Sequence, residues 1–489
     1  MLFNSFEFLL FFPTVVGLYY LCPHRFRWAL LLAASYFFYM SWRVEYIALI
    51  LASTILDYSV AIRVEQAQSD RQRKSWLALS LSGNLGLLFF FKYFNFFNDS
   101  VAATFESLGL EYAIPAANVL LPVGISFYTF QTLSYTIEVY RGNKTAERHI
   151  GKFALYVAFF PQLVAGPIER ATSLLPQFFE RKEFEYTQVT DGMKLMVWGF
   201  FKKVVIADRL ATMVDPVFSD LSNHSGPAIA LATVFFAYQI YCDFSGYSDI
   251  AIGAAQVLGF KLMTNFRQPY FSRSIPEFWR RWHISLSTWF RDYVYIPLGG
   301  NRVSIKRLYA NVAIVFVVSG LWHGANWTFL AWGGLHAIYM VIALSTGTAR
   351  QRIASTIKFD RIPFVHSAWQ WLVTFTLVCI AWIFFRAQNI DDAFTALMTL
   401  PSGWGPSAFS MIDGHIHIGT TRIPNNEFLI ALVAIAVLEA AHVLQQWGSV
   451  RALINRQWLV VRWFIYSVSL WTLFLFGMYE ESEFIYFVF

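Results

Sequence analysis

Charged residues are scarce in this chain of 489 residues, of which 14% are charged, 57% hydrophobic and 19% aromatic. Soluble domains carry about 25% charged residues. This balance excludes a water-soluble domain of such length and predicts a polytopic membrane protein. The net charge of +6 reflects basic loops between apolar segments, which act as topology determinants and are not a nucleic-acid signal.

Only three cysteines occur, and several common enzyme motifs are missing. Cys22, Cys242 and Cys379 lie in or beside apolar segments, and no pair has metal-ligand spacing. We therefore expect no disulfide and no metal site. No Walker loop, dinucleotide fingerprint, GxSxG or HExxH motif occurs, which excludes assignment to the classes that those motifs define. Residues 1–21 lack a basic n-region and a cleavage site, so we expect a retained first helix.

Apolar runs alternate with polar loops along the whole chain, as a bilayer core of about 30 Å requires. We expect an all-α polytopic membrane protein with a single domain over residues 1–489. The predicted spans are 4–21, 27–42, 44–62, 76–97, 120–140, 193–212, 227–247, 309–323, 326–345, 367–385, 428–447 and 458–478.

Lysine and arginine placement predicts the orientation of these spans. The basic loops 63–75, 141–152 and 349–361 should face the cytoplasm. The stretches 98–118, 213–226 and 387–427 hold few basic residues and should face outward. Span parity then places both termini outside, including the C-terminal Glu480, Glu481 and Glu483.

Two segments do not fit a simple crossing. Basic residues flank 282–298 on both sides, so this segment should enter from the cytoplasm and return as a re-entrant or interfacial piece. The short apolar run 153–167 is a second re-entrant candidate. The loop 398–427 is turn-rich and is the longest soluble piece.

The stretch 278–336 contains the two histidines of greatest interest. His323 ends an apolar run beside Trp322 and Asn326, with a predicted hairpin turn at 324–326. An ionisable side chain at membrane depth usually has a function, here that of a general base, although a packed helix histidine is the alternative. His283 is either a second catalytic residue or an interfacial residue of an aromatic belt.

Other charged residues near these histidines have two interpretations. Arg280, Arg281 and Arg291 could bind the phosphates of a nucleotide-bearing donor, or they could anchor the cytoplasmic face and contact anionic lipid. Asp243 and Asp249 lie within or beside an apolar segment. We expect them to pair with arginines of the 261–291 block in a structural role, with catalysis as the alternative.

Four stretches make the chain resemble one known family. They are FWRRWHISLSTWFRDYVYIPLGGNR (278–302), GLWHGANWTFLAWGGLH (320–336), LPVGISFYTF (121–130) and DFSGYSDIAIG (243–253). They look like the membrane-bound O-acyltransferase family, and most like its bacterial branch that acetylates exported alginate. The similarity runs from residue 1 to about residue 390.

This resemblance implies a bundle of about 11 to 12 membrane helices with re-entrant segments and a central tunnel, the catalytic core lying at about 120–346. It implies that His323 is the family's active-site histidine and that His283 matches its second position. Trp279, Trp322, Asn326, Asp243 and Asp249 would support or line the tunnel, and the C-terminal helices 367–489 would follow the core.

The resemblance also implies a bacterial inner-membrane O-acetyltransferase without a metal. Acetyl-CoA would approach from the cytoplasm, with Arg280, Arg281 and Arg291 at its phosphates. The partner would be a periplasmic esterase-like (SGNH-type) acetyltransferase or the polysaccharide itself, in a lipid environment and without nucleic acid. Other envelope polymers (peptidoglycan, cellulose, lipopolysaccharide, teichoic acid) remain alternative acceptors. A non-catalytic transporter or scaffold of a polysaccharide secretion complex remains the alternative class.

Overall fold

The computed structural model describes residues 1–118, 120–356, 358–479 and 484–485. The predicted outward position of Glu480, Glu481 and Glu483 falls outside these described residues. The chain forms two compact units, one of residues 1–196 and 248–263 and the other of residues 197–247 and 264–489. The single domain expected from the sequence over residues 1–489 stays a prediction.

The first unit is helical. A π-helical turn at Phe89–Tyr93 joins its fourth and fifth helices. Its helices are α1 (Phe6–Leu21), α2 (His24–Met40), α3 (Ile47–Gln66), α4 (Asp70–Leu88), α5 (Phe94–Ser107), α6 (Ile125–Tyr140), α7 (Ile150–Ala158), α8 (Phe160–Leu163) and most of α9 (Tyr186–Phe200).

The second unit begins at the end of α9, where a π-helical segment, Phe201–Ala207, continues the helix. Its helices are α10 (Asp208–Ser219), the larger part of α11 (Gly226–Val257), α12 (Ile275–Arg281), α13 (Ile284–Phe290), α14 (Ile305–His323), α15 (Trp327–Ser345), α16 (Gly347–Thr356), α17 (Pro363–Arg386), α18 (Ile390–Thr399), α19 (Asn425–Gln445), α20 (Val450–Asn455) and α21 (Leu459–Phe476). Its core is rich in buried aromatic side chains, among them Trp282, Trp332 and Trp382.

The prediction of an all-α membrane protein is confirmed, and every predicted span contains a helix. Within the described residues, eight helical segments are long and apolar enough to cross a bilayer. They are Val44–Gln66, Asp70–Ser107, Gly226–Val257, Ile305–His323, Trp327–Ser345, Pro363–Arg386, Asn425–Gln445 and Leu459–Phe476.

Both segments predicted to be re-entrant are broken into short helices. The first breaks at Phe159, between α7 and the four-residue α8, and lies buried in the first unit. The second, 282–298, contains α13 and a π-helical turn at Arg291–Tyr295, and α12 ends directly before it. Neither is long enough to cross about 30 Å of hydrocarbon, and their entry from the cytoplasm stays a prediction.

The loop 398–427 contains a small sheet that the sequence analysis missed. Strands β1 (Phe409–Ile412), β2 (His415–Ile418) and β3 (Thr421–Pro424) form an antiparallel meander in the order β1-β2-β3. Ile418 and Ile423 are buried in the core of the second unit. The tight turns were visible as Asp413-Gly414 and Gly419, but the strands are only four residues long and carry a weak alternation signal.

Loops predicted to share a side of the membrane lie close together within each unit. In the first unit, Arg148 forms an ion pair with Glu65, and Arg73 donates to the carbonyl oxygen of Tyr140. In the second unit, Arg386 lies 2.7 Å from Asp215, and His224 lies 2.8 Å from Thr421. These contacts agree with the grouping of loops by charge and leave their absolute orientation as a prediction.

Candidate active site

His323 lies at the last residue of α14, directly before a tight turn into α15. Asn326 caps α15, since its side-chain oxygen accepts the backbone N–H of Thr328 at 3.0 Å. The predicted hairpin turn at 324–326 is therefore confirmed. Asn326 also donates to the carbonyl oxygen of Gln388 at 2.9 Å, which ties the turn to the start of the predicted outer loop. Its role in the structure is to build the turn that follows His323.

Glycines bring the two helices of this hairpin into close contact. A Cβ atom on Gly320 would lie 2.3 Å from the carbonyl oxygen of Phe329, and one on Gly333 would lie 2.4 Å from that of Phe316. Any side chain at either position would force the backbones apart. This close approach places the His323 ring against that of Trp332, with centroids 5.0 Å apart.

The backbone around His283 is unusual. His283 precedes α13 and has a φ of 44°, in the left-handed region that side chains other than glycine rarely adopt. That conformation costs about 1–2 kcal/mol. Strain of this kind persists only where the surrounding structure enforces it, and it concentrates at functional sites.

Asn265 holds His283 in this position. The backbone N–H of Ser285 donates to Asn265 Oδ1 at 3.2 Å, which identifies that atom as the amide oxygen. His283 Nδ1 lies 3.2 Å from the same oxygen and must therefore carry the donated proton. Asn265 also accepts the N–H of Ile284 through its own carbonyl oxygen at 2.9 Å. The neutral tautomer of His283 thus has its lone pair on Nε2.

The structure brings the two predicted histidines together. Their ring centroids lie 6.2 Å apart, and both side chains are buried, with 0% of His283 and 3% of His323 exposed. Trp322 contacts both rings, at 5.9 Å from His283 and 5.0 Å from His323. Burial lowers the pKa of His283 to about 3, so this imidazole is neutral at physiological pH.

The three arginines predicted to bind phosphate lie on or beside the short helices. Arg281 forms an ion pair with Glu277 at 2.6 Å, and Arg291 forms one with Asp292 at 2.8 Å. Arg280 and Arg291 are exposed. Solvent-exposed guanidinium groups are accessible to an anion. Phosphate binding by these arginines stays a prediction.

The expected partner of Asp243 is wrong. Asp243 pairs with Lys203 at 2.6 Å and not with an arginine of the 261–291 block. Lys203 also lies 2.8 Å from Asp208. Lys203 is buried and lies in the π-helical segment Phe201–Ala207. Asp243 also accepts the backbone N–H of Ile485 at 2.8 Å. These contacts fit a structural role for Asp243.

The remaining predicted residues lie apart from the two histidines. Asp249 is half-buried on the part of α11 that belongs to the first unit. Trp279 lies on α12 and donates its indole N–H to His336 Nδ1 at 3.3 Å. Trp279 also contacts the ring of Trp332 at 5.7 Å.

Sequence reasoning missed three residues to which the structure gives polar contacts, Asn265, Lys203 and His336. Lys203 is a charged residue inside the predicted span 193–212, which is a weak signal, whereas Asn265 lies between Lys261 and Arg267 and does not stand out. His336 lies in the stretch first singled out, but nothing in its spacing distinguished it from a packed histidine. Among the residues that the structure describes, no group of three or more His, Cys, Asp or Glu is placed to hold a metal ion.

Comparisons with known proteins identify relatives across most of the chain. The model of the membrane-bound O-acyltransferase family matches residues 31–386. The probable alginate O-acetylase AlgI of Azotobacter vinelandii is 44% identical over 81% of this chain and 77% of its own length. That of Pseudomonas putida is 44% identical over 80% and 79%, respectively. The peptidoglycan O-acetyltransferase of Helicobacter pylori is 37% identical over 75% and 72%.

Proposed function

The chain belongs to the membrane-bound O-acyltransferase family, and from that premise we propose that it O-acetylates an exported polysaccharide such as alginate. The donor is acetyl-CoA on the cytoplasmic face of the bacterial inner membrane, and the acceptor side is the periplasm. The names of the 44%-identical relatives support alginate as the polymer. The relative from Helicobacter pylori supports peptidoglycan as a second candidate.

The observation that carries this proposal is the pair of buried imidazoles on neighbouring elements of one unit, with ring centroids 6.2 Å apart. His323 acts as the general base that removes the proton from the attacking hydroxyl. His283, with its lone pair on Nε2, orients the reacting groups. Trp322 contacts both rings and fixes their relative orientation.

The reaction balances without any other cofactor. The acceptor oxygen forms a bond to the carbonyl carbon of the thioester while its proton passes to His323. The C–S bond then breaks, and the proton on the imidazole passes to the leaving thiolate of coenzyme A. The histidine returns to its neutral form, and the acetyl group ends as an ester on the acceptor.

The donor and the partner follow from the same proposal. Arg280, Arg281 and Arg291 bind the phosphates of acetyl-CoA, and the anion competes with Glu277 and Asp292 for the second and third of these guanidinium groups. A periplasmic acetyltransferase of the esterase-like type receives the acetyl group or passes it to the sugar. Lipid surrounds the membrane helices.

The test is acetylation of the exported polysaccharide in cells that carry His323→Ala. We expect acetylation to disappear while the protein keeps its normal level in the membrane, because the base is gone and the hairpin remains. His366→Ala is the matched control, since His366 contacts Gln370 on α17 and lies outside the site. Wild-type acetylation in the His323→Ala strain would favour a scaffold or transporter and reject the proposal.

A further inference from the structure

Two buried side chains on α15 have no part in the proposed transfer, and one of them contacts the ring of His323. Trp332 and His336 are one helical turn apart, and both are 0% exposed. The Trp332 ring lies 5.0 Å from the His323 ring and 5.0 Å from the His336 ring. Trp332 therefore connects the proposed base with a third histidine in the second unit.

The protonation of His336 follows from its neighbour. The indole N–H of Trp279 can only donate, and it points to His336 Nδ1 at 3.3 Å. Nδ1 is therefore the acceptor nitrogen of the imidazole, and a neutral His336 carries its proton on Nε2. The ring stacks on Phe278 at 6.3 Å with an interplanar angle of 2°, which fixes its plane.

Two N–H donors result, one on each ring. Among the residues that the structure describes, neither Trp332 Nε1 nor His336 Nε2 has a hydrogen-bond partner. Trp382, in the same aromatic core and also buried, donates its indole N–H to the hydroxyl of Tyr270 at 3.2 Å. A buried donor usually finds an acceptor, so two such donors one helical turn apart, one of them on a ring that contacts His323, indicate a ligand oxygen.

We infer that Trp332 Nε1–H and His336 Nε2–H bind a carbonyl oxygen of the acyl donor next to His323. The inference rests on the proposed function, which supplies an acyl-CoA donor. Such a donor offers two carbonyl types to this site. One is the thioester carbonyl, whose oxygen gains negative charge in the transition state, and the other is an amide carbonyl of the pantetheine arm.

Kinetics on the purified full-length protein in lipid nanodiscs test the inference and separate the two carbonyls. Release of coenzyme A from acetyl-CoA is followed with polymannuronate oligosaccharides as the acceptor. Trp332→Phe removes the indole N–H and keeps an aromatic ring, and His336→Phe does the same for the imidazole N–H. If the thioester carbonyl is bound, each variant lowers kcat about 10-fold or more at similar KM. If the amide is bound, KM rises instead and kcat is retained.

Trp382→Phe is the matched control. It removes a buried indole N–H that already has a protein acceptor, so it should lower the thermal midpoint of unfolding and leave kcat and KM unchanged. Trp332→Phe should leave that midpoint unchanged or raise it, because it removes a donor without a protein acceptor. The stability comparison needs no turnover.

Three results would overturn the inference or its premise. Wild-type kcat and KM in both Trp332→Phe and His336→Phe would reject the carbonyl site while leaving the proposed function intact. A thermal midpoint that falls in Trp332→Phe as much as in Trp382→Phe would show that the donor has a structural role. A wild-type protein that releases no coenzyme A in this assay would reject the premise that it transfers the acetyl group directly from acetyl-CoA to polymannuronate.

Discussion

Each unit contains a buried polar group among membrane helices, and the two groups are built differently. In the first unit, Asp57 accepts hydrogen bonds from Ser80, from Asn84 at 2.7 Å and from Thr136 at 2.9 Å. Asn84 in turn accepts the hydroxyl of Ser53 at 2.6 Å. The cluster joins α3, α4 and α6, and protein side chains donate all three of these hydrogen bonds to the Asp57 carboxylate.

The histidine region of the second unit is the opposite case. Its polar atoms are carried by His283, His323 and His336 among aromatic rings, and donors on Trp332 and His336 have no acceptor among the described residues. A closed network adds stability and holds helices in register, whereas buried donors without protein acceptors lower stability unless a ligand uses them. Burial therefore does not by itself mark a functional residue, since Asp57 and His283 are both 0% exposed.

The largest expected effect that would test this contrast is on stability. Asp57→Ala leaves the donors on Ser80, Asn84 and Thr136 without their acceptor, which should lower the free energy of unfolding by about 3 kcal/mol or more. Thermal unfolding in detergent, followed by tryptophan fluorescence, measures the loss. Transfer activity per mole of folded protein should stay at the wild-type level.

Two variants control for this change. Asp57→Asn keeps one acceptor oxygen and should fall between the wild type and Asp57→Ala. Asp70→Ala breaks an exposed ion pair with Lys74 and should change stability by less than about 1 kcal/mol. Loss of activity in folded Asp57→Ala would mean that the cluster in the first unit is itself a functional site.

A smaller effect is expected from Asn265, which positions His283 without being a reacting group. Asn265→Ala removes the acceptor for His283 Nδ1 and for Ser285. A misplaced imidazole should lower kcat about 10- to 100-fold with little change in KM. Coenzyme A release measures both constants.

A conservative variant distinguishes positioning from general damage. Asn265→Asp keeps an oxygen at the same place and should restore most of kcat, because His283 Nδ1 and Ser285 can still donate to it. Equal losses in the alanine and aspartate variants at unchanged folding would contradict a positioning role.

Much of the fold could be predicted because membrane helices depend on local composition. Every predicted span contains a helix, and the turn at 324–326 lies at the predicted Gly324-Ala325-Asn326 sequence. The small sheet at 409–424 was missed because its strands are too short to show alternation. The π-helical segment at 201–207 follows no local sequence rule, and its Lys203 pairs with Asp208.

The site was less predictable from sequence than the fold. His323 and His283 stood out as ionisable residues in unusual surroundings, and the structure places them side by side. The partner of Asp243 could not be predicted, since a lysine from a π-helical turn and an arginine from a nearby block satisfy the same charge rule. Asn265 and His336 matter through tertiary contacts that spacing along the chain does not encode.

The smallest expected effect is on the pH dependence of stability, where the two units should act in opposite directions. Burial lowers the pKa of His283 from its ordinary 6.5 to about 3. Below pH 6.5 the unfolded chain therefore binds a proton that the folded protein does not, and stability falls as the pH falls. Burial raises the pKa of Glu169 in the first unit from 4.5 to about 7. Between these values the folded protein holds a proton that the unfolded chain has lost, so stability falls as the pH rises.

Thermal midpoints between pH 5 and 6.5 should separate these two contributions, each at most about 1.4 kcal/mol per pH unit. His283→Asn removes the contribution of His283, which makes the folded protein more stable as the pH rises. Asparagine tolerates the left-handed backbone at this position. The thermal midpoint of His283→Asn should therefore rise less steeply with pH than that of the wild type. Glu169→Gln removes the contribution of Glu169, which makes the folded protein less stable as the pH rises. The thermal midpoint of this variant should therefore rise more steeply with pH than that of the wild type. If the thermal midpoints of both variants and the wild type changed with pH at the same rate, the folded protein would not hold His283 and Glu169 in their neutral forms.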